Sequence, residues 1–411
     1  MQKATTHKTS KWENKRDAFV IFLLLFPFIA LLTPLTQISA EHQSAAYQIL
    51  FYSKIVGLII ILFLYIKRYG ICSFDKWILF LIAVWLISVF VNNTDYNAIV
   101  NEIGTILFYC CLFGYYIRKN TSIFLQVYSI MLGFMLFLNL VFLVIHPDGF
   151  YQSDSTWNPV RVNFLGLDNQ ISPLLFIFFI LCYLCSKIQH NNRFIIVGGI
   201  IIAGNIALLN IGTLYTASLL FILCWIFHKK APKLFQPKVI LFIIAVLFCG
   251  IVLFRLQYLF DYYITQVLEK DITLTGRTYV WEEVFQMIPQ KPLLGYGSSS
   301  LGHVVLGDRH AHNTILQMIL QFGFIGFSVF CGLLFKSLKS SNTNIKNNTV
   351  YSFLILVFFA YNVALLTEVY PFVYYIIILL FLYYSNYIKT NKEKKIFNKY
   401  KSEILAEPQV I

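Results

Sequence analysis

Between Thr275 and Gly326 the chain turns polar and gathers side chains that handle anions and protons. It reads GRTYVWEEVF, then PLLGYGSSS, then DRHAHNTILQMILQFGFIG. Arg277 opens an amphipathic helix for which Thr275 is the expected N-cap, and Val280, Trp281, Val284, Phe285 and Ile288 form its apolar stripe. A guanidinium beside the free N–H groups of a helix start suits a diphosphate, because its planar fork donates paired hydrogen bonds where the helix dipole favours negative charge. On a helix lying at the membrane surface, Arg277 would point into the lipid headgroup zone. Asp308, Arg309, His310, His312 and Asn313 then crowd against the start of the next apolar run. An imidazole titrates near neutral pH, so His312 can orient or deprotonate a hydroxyl, or bind the diphosphate. Arg277 and His312 are therefore the expected catalytic pair. Arg309, Asp308, His310 and Asn313 are expected substrate-binding groups, with His310 on a different face from His312. The spacing of His303, His310 and His312 is not that of a compact metal site. Gly295 and Gly297 allow tight turns and close backbone approach to a ligand, but no GKS/T ending marks a nucleotide loop.

A second polar stretch, WNPVRVNFLGLDNQ, adds Arg161 as a further cation. Asp154 and Asp168 offer acceptors for sugar hydroxyls there, and Tyr151 and Trp157 offer stacking faces. Two ionisable residues, Lys54 and Glu102, fall within apolar runs and are expected to face the protein interior, where they can pair.

These residues must be positioned by a membrane-embedded scaffold. The 411 residues are 58% hydrophobic and 12% charged, against about 25% charged in soluble domains. Apolar runs of about 20 residues, each long enough to cross a bilayer core, recur throughout. Twelve spans are expected, at 18–36, 46–66, 77–92, 98–117, 122–145, 171–188, 194–211, 213–228, 239–256, 313–334, 350–367 and 371–388. With the N-terminus inside, cytoplasmic segments hold 25 Lys and Arg and outer segments hold 6, as the positive-inside rule requires. Both termini are then cytoplasmic, in a single transmembrane domain over 1–388 with two long outer loops, 146–170 and 255–312. The first apolar run reads as a retained helix rather than a cleaved signal. The basic tail 389–411 suits an anionic lipid surface, so the net charge of +13 is no sign of nucleic acid. None of the eight cysteines falls in an outer loop, and the CxxC of Cys182 and Cys185 sits inside an apolar run, so no disulfide is expected. The 40 Phe, 26 Tyr and 6 Trp are expected to serve as lipid-facing bulk and interfacial belt.

An arginine-led helix, then KPLLGYG, then an H-N followed by G-x-x-G in HNTILQMILQFGFIG resembles the long outer loop of the O-antigen polymerase and ligase family (Wzy and WaaL type). RVNFLGLDN, with Arg161, Asn163, Gly166 and Asn169, approximates a second family element, which implies that Arg161 and Asn169 bind substrate. The resemblance departs at NIGTLYTAS, where an arginine common in the family is missing. It implies an all-α, GT-C-like bundle in the bacterial cytoplasmic (inner) membrane. It also implies an inverting, metal-independent glycosyltransferase without cofactor. Donor and acceptor would be oligosaccharides on undecaprenyl diphosphate, among membrane lipids, with a chain-length regulator and a flippase as candidate partners. The Lys, Asn, Ile and Phe content points to an AT-rich genome and so to polymerisation of capsule, exopolysaccharide or O-antigen repeat units. Transfer to a lipid core or other acceptor by a ligase is the alternative. A lipid-linked glycan flippase is the rival of another class; the lack of internal repeats and the concentration of polar residues in one loop count against it.

Overall fold

The computed structural model describes residues 11–32, 45–94, 96–149, 151–153, 160–209, 211–262, 265–266, 271–274, 276–297, 310–339 and 349–388. The first eleven elements are α1 (Lys11–Ala30), α2 (Ala45–Tyr69), α3 (Ser73–Asn92), α4 (Tyr96–Ile145), β1 (Tyr151–Ser153), β2 (Val160–Asn163), β3 (Gly166–Leu167), α5 (Asp168–Gln189), α6 (Arg193–Leu209), α7 (Gly212–Phe227) and α8 (Pro237–Phe248). They are followed by α9 (Arg277–Met287), α10 (Thr314–Lys339), α11 (Thr349–Ala364) and α12 (Phe372–Tyr383). A helical element meets each expected span. Among the described residues, the helices at Ala45–Tyr69, Ser73–Asn92, Ile99–Ile145, Asp168–Gln189 and Thr314–Lys339 are long and apolar enough to cross a membrane. Shorter apolar helices stand beside them. The chain is a multi-pass, helical membrane protein.

Burial sorts the helices. α5, α11 and α12 are buried along most of their length and form the centre, whereas α2 leaves most of its apolar surface exposed, as a lipid-facing helix does. The central helices pack against α4, α7 and α10, and α3 lies along α10. The aromatic residues are not mainly peripheral: Trp85, Trp281, Tyr116, Tyr351, Tyr361 and Tyr384 are fully buried, and the Phe28 and Phe108 rings stack at 3.6 Å. All eight cysteines are free thiols.

The runs 98–117 and 122–145 form one helix interrupted at Asn120, whose backbone leaves the helical region. Asn120 donates to the Asn14 side chain at 2.9 Å, and Lys119 pairs with the buried Asp17 at 2.6 Å. The break is thus anchored to α1. Lys54 and Glu102 do not pair. Lys54 donates to Asn101 at 2.8 Å, and Glu102 accepts the Phe372 N–H at 3.2 Å. Each finds a nearer polar group than the other.

Two features depart from a purely helical reading. The 146–170 loop carries a small antiparallel sheet in the order β1-β2-β3, with Tyr151 opposite Val162 and Asn163 opposite Gly166. The short VRVN alternation and the turn at Gly166, where φ is +110°, are compatible with strands but too brief to stand out beside long helices. The second departure is a break in α10 at Gly323, where φ is +66°. PLLGYG fills that break. Tyr296 and Gly297 donate their N–H groups to Leu320 and Gln321 at 2.7 and 3.0 Å, and Phe324 and Ile325 donate to Pro292 and Leu293 at 2.8 and 3.2 Å. Trp85, on α3, donates to the Gly297 carbonyl at 2.9 Å. The close approaches that the glycines permit are to protein backbone, that of α10 at Gly295 and that of α3 beside Val89 at Gly297. The docked segment satisfies groups that a broken helix inside the bundle would otherwise leave without partners.

Candidate functional site

Arg277 begins α9, as the sequence suggests, but its cap is different. Gly276 occupies the N-cap with φ +80°, and Thr273 accepts the Gly276 N–H through its hydroxyl at 2.8 Å. Thr275 lies outside the described residues. The apolar stripe packs as expected: Val280, Trp281 and Val284 are buried, while Glu282 and Glu283 are exposed. The stripe buries itself against protein rather than lying on a membrane surface, which turns Arg277 inward. Its Nη2 donates to Oε1 of Glu368 at 2.6 Å, and the two side chains are 17% and 3% exposed.

Glu368 was not singled out by the sequence. A lone glutamate between two apolar runs reads as an ordinary connection, and only its scarcity at such a place was a signal. It lies between α11 and α12, and α10 holds that connection in place. Thr314 donates its N–H to Leu365 at 3.0 Å and its hydroxyl to the Glu368 carbonyl at 2.9 Å. Asn313 donates its amide to Leu366 at 2.8 Å, while its side-chain oxygen accepts the Leu316 N–H at 2.9 Å and caps α10. Asn313 is fully buried with both ends of its amide engaged, so the structure gives it a holding role in place of direct substrate contact. Asn169, at the exposed start of α5, donates to Oε2 of Glu368 at 3.2 Å. Three expected site residues, Asn169, Arg277 and Asn313, therefore converge on one connection.

The histidines complete this end of the bundle. Trp281 donates its indole N–H to the Ala311 carbonyl at 3.0 Å, and Gln317 accepts the Ala311 N–H at 3.0 Å. These bonds fasten the His310–Asn313 segment to α9 and α10. The His310 and His312 rings lie 4.1 Å apart, so the two share a face rather than occupying different ones. His312 takes the left-handed conformation at φ +49°, and its N–H donates to Nδ1 of His310 at 3.2 Å. His310 keeps an exposed edge. Crowding by protein, and then the Arg277 charge, push its pKa down to about 4. At neutral pH His310 is uncharged and carries its proton on Nε2, a hydrogen-bond donor beside Arg277. Burial pushes the Glu368 carboxyl up, and Arg277 opposes the shift.

Asp308 and Arg309 lie outside the described residues. Arg161 is placed by its backbone in β2, opposite Gln152. In the same hairpin, the buried Asn163 donates its amide to Asp168. At the 213–218 corner, where the family's arginine is absent, Thr213 presents a buried hydroxyl.

An apolar cavity of about 680 Å³ lies between α1, α2 and α4, lined by Phe22, Phe26, Ile29, Met131, Phe134 and Phe164. Phe164 belongs to the β2–β3 turn that leads into Asn169, so the cavity and the polar cluster share one structural link.

Residues 198–331 match the O-antigen ligase family model (Wzy_C). A protein of Rickettsia conorii named as a candidate polysaccharide ligase is 36% identical over 93 residues, covering 19% of this chain and 23% of its own length. A like-named protein of Rickettsia felis is 34% identical over 87 residues, covering 18% and 21%. The ComP-specific O-oligosaccharyltransferase of Acinetobacter baylyi is 26% identical over 347 residues, covering 77% of this chain and 62% of its own. The matches thus span about a fifth of the Rickettsia proteins and under two thirds of the Acinetobacter one. No solved structure matches the chain. These likenesses agree with the loop motifs in resembling the O-antigen polymerase and ligase family, the Wzy and WaaL type. The likenesses run to proteins named as ligases and as an oligosaccharyltransferase, which is nearer the ligase alternative than the polymerisation that residue composition suggested. Genome composition bears on the organism and not on the acceptor.

Proposed function

We propose that this protein transfers an oligosaccharide from a polyprenyl diphosphate to a separate acceptor hydroxyl, at the outer face of a bacterial cytoplasmic membrane. The observation that carries the reading is the inward-facing Arg277 at the start of α9, beside neutral His310, at one end of a helical bundle. Both residues fall within the stretch matched by the O-antigen ligase model. A guanidinium and an imidazole N–H at a helix start form an anion site of the kind a diphosphate leaving group requires. His312 orients the same diphosphate through its contact with His310, and Arg161, Arg309 and Asp308 supply further contacts to phosphate and sugar. The apolar cavity that ends at Phe164 accommodates part of the polyprenyl chain. The acceptor oxygen attacks the anomeric carbon opposite the diphosphate, with inversion. What the reaction asks of these residues is positioning and charge stabilisation.

The acceptor is a lipid core, another glycolipid or a protein hydroxyl. The last is the second reading, and it rests on the extent of the likeness to the Acinetobacter oligosaccharyltransferase. The test is reconstitution of the purified protein in vesicles with a polyprenyl-diphosphate oligosaccharide. Each acceptor class, and a second lipid-linked unit, is offered separately. A single transfer to a lipid or protein acceptor supports the proposal. A ladder built from lipid-linked units alone would restore the polymerase reading. Movement of the donor across the bilayer without any transfer would show a flippase.

A further inference from the structure

We propose that Glu368 is the catalytic base that takes the acceptor hydroxyl's proton, beside the diphosphate held by Arg277. The assignment rests on the transferase reading above. It extends that reading to a residue outside the 198–331 match.

Glu368 has the placement of a working group. Its main chain is pinned by Thr314, and its neighbour Leu366 is pinned by Asn313, so the carboxylate is held on a fixed frame. One oxygen meets Arg277 and the other meets Asn169. Arg277 closes one side of the carboxylate, while the exposed Asn169 marks the side from which an acceptor can arrive. Next to it lies a group of buried hydroxyls. Tyr370 stands close enough to Glu368 to feel its charge, and its buried hydroxyl meets those of Ser172 and Thr213. Tyr370 and Ser172 are 6% and 0% exposed. The carboxylate thus borders a cluster of hydroxyls, a polar setting of the kind a hydroxyl-rich acceptor can join.

A mere tether for Arg277 would not need a charge. A carboxylate beside the cation opposes an incoming diphosphate, whereas an amide oxygen would hold the guanidinium without that opposition. The charge has a use if it is consumed in the reaction. The acceptor oxygen forms a bond to the anomeric carbon. The bond from that carbon to the phosphate oxygen breaks, and its electron pair leaves with the diphosphate. The hydroxyl proton passes to Glu368. The diphosphate gains one negative charge as Glu368 loses one, so the total facing Arg277 is unchanged through the step. Burial raises the carboxyl's proton affinity, which strengthens it as a base.

The test measures donor binding and single-turnover transfer separately, using the full chain in vesicles with a synthetic polyprenyl-diphosphate oligosaccharide. Glu368→Gln keeps the size of the side chain and the bond to Arg277. It should bind donor at least as tightly as wild type, transfer at least about 100-fold more slowly, and lose the acidic limb of the pH–rate profile. Glu368→Asp should retain that limb and recover part of the rate; it also decides the question if the Gln variant fails to accumulate. Transfer by Glu368→Gln within a few-fold of wild type would overturn the proposal. So would loss of donor binding in parallel with rate, which would leave Glu368 only the task of holding Arg277. A wild-type protein that transfers to no acceptor would remove the transferase reading itself, and this assignment with it.

Discussion

Replacing Arg277 by Ala should separate the stability of the site from its chemistry. The substitution leaves Glu368, 3% exposed, without its cation. An ionised carboxylate stranded there would cost several kcal/mol, but the group can protonate instead. That alternative sets a ceiling. Holding a carboxyl neutral at pH 7 against an unfolded-state pKa near 4.3 costs about 3.7 kcal/mol, at about 1.36 kcal/mol per unit. Burial already raises the Glu368 pKa in the intact protein, so the added loss should be smaller, about 1–3 kcal/mol. The sign follows from the direction of the shift. A carboxyl with a raised folded-state pKa destabilises fully above that pKa, and the loss fades as pH falls toward the unfolded value. Arg277→Ala should therefore unfold earlier than wild type at pH 7.5 and approach it near pH 4.5. The double variant Arg277→Ala/Glu368→Gln has no charge to strand and should recover most of the loss at pH 7.5. Thermal unfolding in detergent, followed by tryptophan fluorescence, reads all three. Transfer should be absent in both variants, because neither can hold the diphosphate. An Arg277→Ala protein equal to wild type in stability at every pH, or a double variant no better than the single one, would refute the reasoning.

Further outcomes follow from the same geometry. His310 has a pKa near 4 in the free protein because burial and Arg277 disfavour its charge, and a bound diphosphate offsets that cation. Donor binding should accordingly take up protons and tighten as pH falls from 7 toward 5, and His310→Asn should abolish the dependence in a binding titration; an unchanged slope in that variant would exclude His310 from the site. His312→Asn suits the left-handed backbone at φ +49°, so it should fold and accumulate normally. Loss of the ring packed against His310, and so of the orientation it gives the diphosphate site, should still slow transfer about 10- to 100-fold in that variant, and near-full activity would make His312 a purely structural residue. Gly323→Ala places a side chain at φ +66° against the Leu293 carbonyl, so the spliced helix should fail and the protein should be scarce in the membrane fraction; normal accumulation would contradict the packing of PLLGYG into α10. Reporters fused after Lys291 and Lys346 should read outside and inside respectively, and the reverse at either position breaks the twelve-span topology.

Much of the scaffold was legible in the sequence, for a physical reason. A bilayer core demands about 20 apolar residues with an internally bonded backbone, which leaves a strong, local, one-dimensional signal. Helices accordingly appear where the runs do, and α9 buries the stripe its periodicity marked. Arg277, Asn169 and Asn313 were legible as residue types out of place in an apolar chain. Their partners were not. The sequence separates Asn169, Arg277 and Glu368 by long stretches of chain, and only the closing of the bundle brings them to one carboxylate. The glycine loop shows the same limit. Local pattern reveals that Gly295, Gly297 and Gly323 permit close backbone approach, but which backbone approaches is decided by the docking of PLLGYG into the break of α10. Composition and periodicity act over a few turns of chain, so they specify the helices and which residues are conspicuous. The pairing of a buried charge depends on which distant segments packing makes neighbours, and that is decided by the tertiary structure alone.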